Sequence, residues 1–149
     1  MTTSVEMLCG SSGLLEWEIS YDADDGILRV VTLGPLDADA ISDYFQALAD
    51  AIAEFDCNRL LVDHRRTKLR LNPVEIYDIP KRLSEHGIIG HKAAILFQKF
   101  GEDEKFTQIV CANSAIRAKI FTDVAEAFAW LIDANEEPFP ALLSEHLVA

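Results

Sequence analysis

In Arg59-Leu60-Leu61-Val62-Asp63-His64-Arg65-Arg66-Thr67-Lys68-Leu69-Arg70-Leu71-Asn72-Pro73-Val74-Glu75 an apolar strand centre, a basic run and a helix start follow one another without interruption. Leu60-Leu61-Val62 is apolar without alternation, the pattern a strand acquires when helices cover both faces of its sheet, so Arg59 to Asp63 is expected to be an interior parallel strand. Asn72-Pro73-Val74-Glu75 combines an N-cap, a proline at the first helical position and a glutamate at the third, which starts a helix. The basic residues between them read as a loop at the carboxyl end of the strand.

Towards the N-terminus, Leu15, Trp17, Ile19 and Tyr21 alternate with Glu16, Glu18 and Ser20, the period of a strand with one wet face. The turn cluster from Asp22 to Gly26 and the β-branched run from Ile27 to Leu33 complete an antiparallel hairpin, which Gly34-Pro35 stops. From Asp37 to Phe55, Ile41, Tyr44, Phe45, Leu48, Ile52 and Phe55 form one helical stripe, capped by Asp37 or Asp39.

Towards the C-terminus, the helix from Asn72 to Gly87 is either kinked by Pro80 or split near Asp78. Lys92 to Phe97 is a further buried strand, and Gly101 to Lys105 a polar turn. A helix follows with Phe106, Ile109, Val110 and Asn113 on one face. Lys119-Ile120-Phe121 is the last strand, and Thr122 or Asp123 caps a final helix with Val124, Ala127, Phe128 and Leu131 inward. Strand and helix alternate after the hairpin. The expected fold is therefore α/β, a single mixed and mostly parallel sheet of roughly four or five strands with an N-terminal antiparallel hairpin, flanked by about four helices. One domain over 14–135 is expected, with a flexible N-terminus over 1–13 and a tail over 136–149.

The composition narrows the function classes. The 149-residue chain is 50% hydrophobic, enough for one core, and its net charge of -12 disfavours nucleic acid and anionic lipid surfaces. Its three cysteines are widely spaced and match neither a disulfide framework nor a zinc knuckle; Cys57 and Cys111 are expected to pack as small core residues. No apolar run approaches the ~20 residues of a membrane span, and residues 1–13 lack a signal-peptide pattern, so a soluble, cytoplasmic protein is expected.

Arg65, Arg66, Lys68 and Arg70 are four of the thirteen Lys and Arg residues, gathered within six positions of an acidic chain. Loops at the carboxyl ends of parallel strands form the usual ligand crevice of open sheets. Asp63, His64, Arg65, Arg66, Lys68, Arg70 and Asn72 are therefore the candidate residues for binding an anion or a partner. The competing reading is a solvated basic loop, with Asp63 and Arg65 as a structural ion pair and His64 as a packed histidine. Trp17 and Trp130 are read as core or its cap. His86, His91 and His146 match no metal-ligand pattern, and the glycine loops of hydrolase, Walker and dinucleotide sites are absent, so no catalytic residue, metal or cofactor is expected.

The Trp17 strand, Gly34-Pro35-Leu36-Asp37, the Leu60-to-Arg65 segment, and Phe121-Thr122-Asp123 leading to Ala127-Phe128-Ala129-Trp130-Leu131 resemble the SpoIIAA-like branch of STAS proteins over roughly Leu15 to Ile132. The resemblance implies a sheet flanked by helices and a regulatory role like that of an anti-sigma factor antagonist. In those proteins a phosphorylatable serine follows an aspartate at the start of the helix after the central strand. Here Asn72 stands at that start and Thr67 is the nearest hydroxyl. A non-enzymatic module that binds a protein partner is the leading expectation. A carrier of a small apolar ligand or lipid is the alternative, an enzyme of unknown class the third, and self-pairing of the hairpin edge into a homodimer a further expectation.

Overall fold

A computed structural model describes residues 5–88, 90–114 and 117–133. Their six strands are β1 Val5–Ser12, β2 Leu15–Asp22, β3 Ile27–Asp37, β4 Arg59–Arg70, β5 Lys92–Leu96 and β6 Ala118–Phe121. The five helices are α1 Ala38–Phe55, α2 Pro73–Tyr77, α3 Ile79–Glu85, α4 Glu102–Asn113 and α5 Val124–Ile132. The strands lie in sequence order in one sheet, β1 to β3 antiparallel and β3 to β6 parallel. The α/β class and the hairpin-plus-parallel plan agree with the sequence. The described residues hold six strands and five helices, more than expected.

The additional strand is β1. It lies within the stretch expected to be flexible, yet Val5 to Ser12 pairs along the whole of β2. It is weakly patterned because its partner dictates its composition: a Cβ on Gly10 would stand 2.4 Å from Trp17 Nε1, so the indole requires a bare backbone there. The outer edge of the hairpin is consequently paired within the chain. The expected tail, 136–149, lies outside the described residues.

The additional helix comes from division at Asp78, which ends α2 and precedes α3 with its Pro80. Asp37 caps α1, its carboxylate accepting from Ala40 N at 2.9 Å, and Asp123 caps α5, accepting from Glu126 N at 3.0 Å. Helix α4 begins at Glu102, where a polar turn was expected, because Glu104 reaches back to accept from Gly101 N at 2.9 Å. Its buried residues are Thr107, Val110 and Cys111, while Ile109 is exposed. In α5, Ala127 and Leu131 face inward and Val124 is exposed.

Each new parallel strand is added on the same side of the last. Crossovers of one hand then place their helices on one face of the sheet. The main core lies there, with Tyr44, Ile41, Ile76, Val30, Val62 and Leu15 among its buried residues. Helix α5 packs on the opposite face in a smaller cluster of Ile27, Leu61, Ala94, Leu96, Ala127 and Leu131. Lys92 fastens its end: the buried ammonium donates to Trp130 O at 2.7 Å and Asp133 O at 3.2 Å, and lies 4.6 Å from the Trp130 ring centre.

Candidate functional site

Strand β4 is interior through Asp63, paired with β3 on one side and β5 on the other. The loop expected after it is a continuation of the strand. Arg66 to Arg70 pair in parallel with Leu33 to Asp37 of β3, whereas pairing with β5 ends at Asp63 and Leu96. Beyond that point, among the described residues, β4 has a neighbour on one side only.

The continuation contains a bulge. Val31 is opposite Asp63 and Leu33 is opposite Arg66, so Thr32 faces both His64 and Arg65. One inserted residue reverses the alternation. Thr67 and Leu69 thereby turn towards the main core, and Arg66, Lys68 and Arg70 turn to the other face. The Thr32 hydroxyl donates to Asp63 O at 3.4 Å and is also hydrogen-bonded to the Thr67 hydroxyl, filling the space the bulge creates.

Asp63 and Arg65 form a two-point pair, Nε to Oδ1 at 2.9 Å and Nη2 to Oδ2 at 2.8 Å, with Arg65 N also donating to Oδ1 at 3.0 Å. These bonds hold the Asp63 carboxyl below its ordinary range, and the pair secures the bulge. His64 is buried beneath it. Its Nε2 meets Tyr44 Oη at 2.8 Å, its ring packs edge-on against Phe97, and Nδ1 has no hydrogen-bond partner among the described residues. Burial pushes the imidazole pKa down to about 4, against the opposing pull of Asp63, and raises that of the Tyr44 phenol.

After Leu96 the chain passes through Phe97 and turns back into α4. An open cleft of about 580 Å³ separates this turn from the free side of β4. Arg65, Arg66, Thr67, Lys68 and Leu69 line one wall; Phe97, Gln98, Lys99, Gly101 and the first-turn acids Glu102, Asp103 and Glu104 line the other. The cleft thus joins three of the seven sequence candidates, all exposed. Arg70 is exposed at the far end of the strand, opposite Asp37, and outside the cleft lining. Asn72 is engaged in capping: its Oδ1 accepts from Glu75 N, and Glu75 Oε1 accepts from Asn72 N, each at 2.8 Å.

Lys99, Glu102 and Asp103 were not among the candidates. Their position just after the carboxyl end of β5 is the signal that could have found them, by the rule that drew attention to Arg65. They place carboxylates opposite the basic strand, so the cleft presents both signs of charge. Among the described residues no cluster of three metal-ligating side chains occurs, and no helix is long and apolar enough to cross a membrane.

No protein-family model matches the chain, and no curated protein matches its sequence significantly. Solved structures do match. An anti-sigma factor antagonist from Mycobacterium paratuberculosis aligns with a TM-score of 0.52 at 14% identity, covering 87% of this chain and 96% of that one. An uncharacterised protein with a SpoIIAA-like fold from Shewanella loihica PV-4 aligns with a TM-score of 0.49 at 19% identity, covering 88% and 96%. The fold of this chain is SpoIIAA-like, as the resemblance implied.

Proposed function

We propose that the chain is a non-enzymatic regulatory module that receives a protein partner along the free side of β4, from Arg65 to Leu69. The observation that carries this reading is that β4 runs to Arg70 while its pairing with β5 ends at Asp63, beside a cleft. A strand edge offers backbone donors and acceptors that another chain can pair with, and flanking side chains then select the partner. Arg66, Lys68 and Lys99 on one hand and Glu102 and Asp103 on the other give that rim both charges. Such a rim matches a polar protein segment better than an apolar ligand or a bare anion.

The fold supports a regulatory role, since the Mycobacterium paratuberculosis protein that shares it is an anti-sigma factor antagonist. The reading includes no serine switch: Asn72 occupies the start of α2 and is engaged in its capping. The test is affinity capture from the native host with the wild-type chain and with a Lys68→Glu/Lys99→Glu variant. Both lysines are exposed, so the fold is expected to persist, and circular dichroism checks it. A protein recovered with the wild type and lost with the variant supports the site. Equal recovery with both removes it.

A further inference from the structure

The sheet ends at β1, whose outer edge has no partner strand among the described residues. Val5–Ser12 pairs with β2 residue for residue, without a bulge, and contains no lysine, arginine or proline. Short length, charge, proline and bulges are what keep a strand edge from pairing further. β6, at the other end of the sheet, has four residues and carries Lys119, whereas β1 has eight and none of these protections. Leu8, Gly10 and Ser12 of β1 stand opposite Ile19, Trp17 and Leu15, on the side of the main core. Leu8 is nonetheless 38% exposed, since no described element lies beyond the edge.

Helix α1 runs beside this edge on the core side. Near its start the Ser12 hydroxyl donates to Asp43 Oδ2 at 2.7 Å, and at its end Phe55 stacks on Tyr21. Asp43, Asp50 and Glu54 follow one another at seven and four residues, so they share the β1 flank of the helix, and all three are exposed. On its other flank Ser42 accepts from Arg82 of α3. The acidic row is roughly 16 Å long at the rise of an α-helix, close to the span of three alternate strand residues spaced roughly 7 Å apart.

We propose that the open edge of β1 receives an extended basic segment of a partner protein, which adds a strand to the sheet and sets alternate lysine or arginine side chains against Asp43, Asp50 and Glu54. The unpaired backbone of β1 selects an extended conformation, and every second side chain of an added strand turns towards α1. The carboxylates select the charge. Pairing of β1 with β1 of a second copy would bring both acidic flanks to one seam, where like charges repel. Residues 1–4 and 134–149 contain no lysine or arginine and include Glu136, Glu137 and Glu145, so neither end of the chain supplies the cations. The edge is separated from the β4 cleft by β2 and β3, which makes it a second surface and not part of the first.

The test is an NMR titration of the isotope-labelled full chain with a capped peptide in which lysine alternates with valine, over roughly 10 µM to 1 mM. Amide shifts centred on β1 are expected. The same peptide with glutamate for lysine, and the lysine peptide N-methylated at every residue, are expected not to bind: the first loses the charge and the second only the backbone donors. Asp50→Lys/Glu54→Lys, with its fold checked by circular dichroism, is expected to weaken binding at least roughly tenfold. Equal binding of the methylated peptide would make the contact a matter of charge alone and overturn the proposal. Binding of the glutamate peptide, shifts centred away from β1, undiminished affinity in the variant, or no binding of the lysine peptide overturn it equally. So does protection of the outward β1 amides from hydrogen exchange before any peptide is added, the sign that a second copy or another segment of the chain already holds the edge.

Discussion

The Tyr44 hydroxyl and the His64 imidazole meet at 2.8 Å inside the core, joining the middle of α1 to the first of the two bulge residues of β4. Trp17 packs on Tyr44 and Phe97 on His64, so the pair is enclosed by aromatic rings. Two polar groups in that setting hold each other in place, and their energetic consequences are specific.

The first concerns pH. Burial keeps His64 neutral with a pKa of about 4, while the unfolded chain protonates near the ordinary 6.5. Between those values the unfolded state binds more protons, so stability falls as pH falls through that window and is unaffected by this group above it. The loss reaches roughly 3 kcal/mol by the lower end. Titration of the His64 ring by NMR should give a midpoint near 4; a midpoint at or above 6.5 would refute the burial argument.

Replacing Tyr44 with Phe keeps the ring but removes the hydroxyl. His64 Nδ1 already lacks a partner among the described residues, and Nε2 would then lack one too. The expected cost is about 1–3 kcal/mol, read from urea unfolding with an unchanged m-value. A neutral result would mean that the hydrogen bond contributes nothing net.

Gly10→Ala tests whether β1 belongs to the folded sheet. The added methyl would collide with the Trp17 ring, which is buried against Tyr44 and has little room to retreat. A loss of about 1–3 kcal/mol in unfolding free energy is expected. The same substitution at Gly13, where a Cβ meets nothing within 4 Å, bears only its left-handed backbone cost at φ +60. If the two variants lose the same amount, Gly10 is not packed as described.

Lys92→Met retains the aliphatic stem of Lys92 and removes its ammonium from the end of α5. The Trp130 and Asp133 carbonyls lose that donor. A destabilisation of about 1–3 kcal/mol is expected, with faster amide exchange concentrated in α5. Unchanged exchange there would show that the helix is held by Ala127 and Leu131 alone.

The amino-acid order by itself determined the elements with strong local signals. Alternation from Leu15 to Tyr21, the stripe of α1, the unbroken Leu60-Leu61-Val62 and the Asn72–Glu75 capping box each follow from interactions within a few residues, and each stands where it was expected. The Asp63–Arg65 pair was legible for the same reason; the packing of His64 and the burial of Cys57 and Cys111 were legible from residue type and position on their elements, while the Tyr44 partner of His64 comes from twenty residues away.

Tertiary structure alone decided what long-range pairing imposes. Arg65 to Arg70 carries so much charge that it reads as a loop, and it is a strand because β3 supplies its hydrogen bonds. The phase shift at Thr32 depends on two strands counted against each other, which no local pattern contains. β1 owes its existence to β2 and to the ring of Trp17, and the cleft to the early end of β5 beside β4. Local spacing encodes which face of an element is apolar; only the assembled sheet determines which edges and faces remain for another molecule.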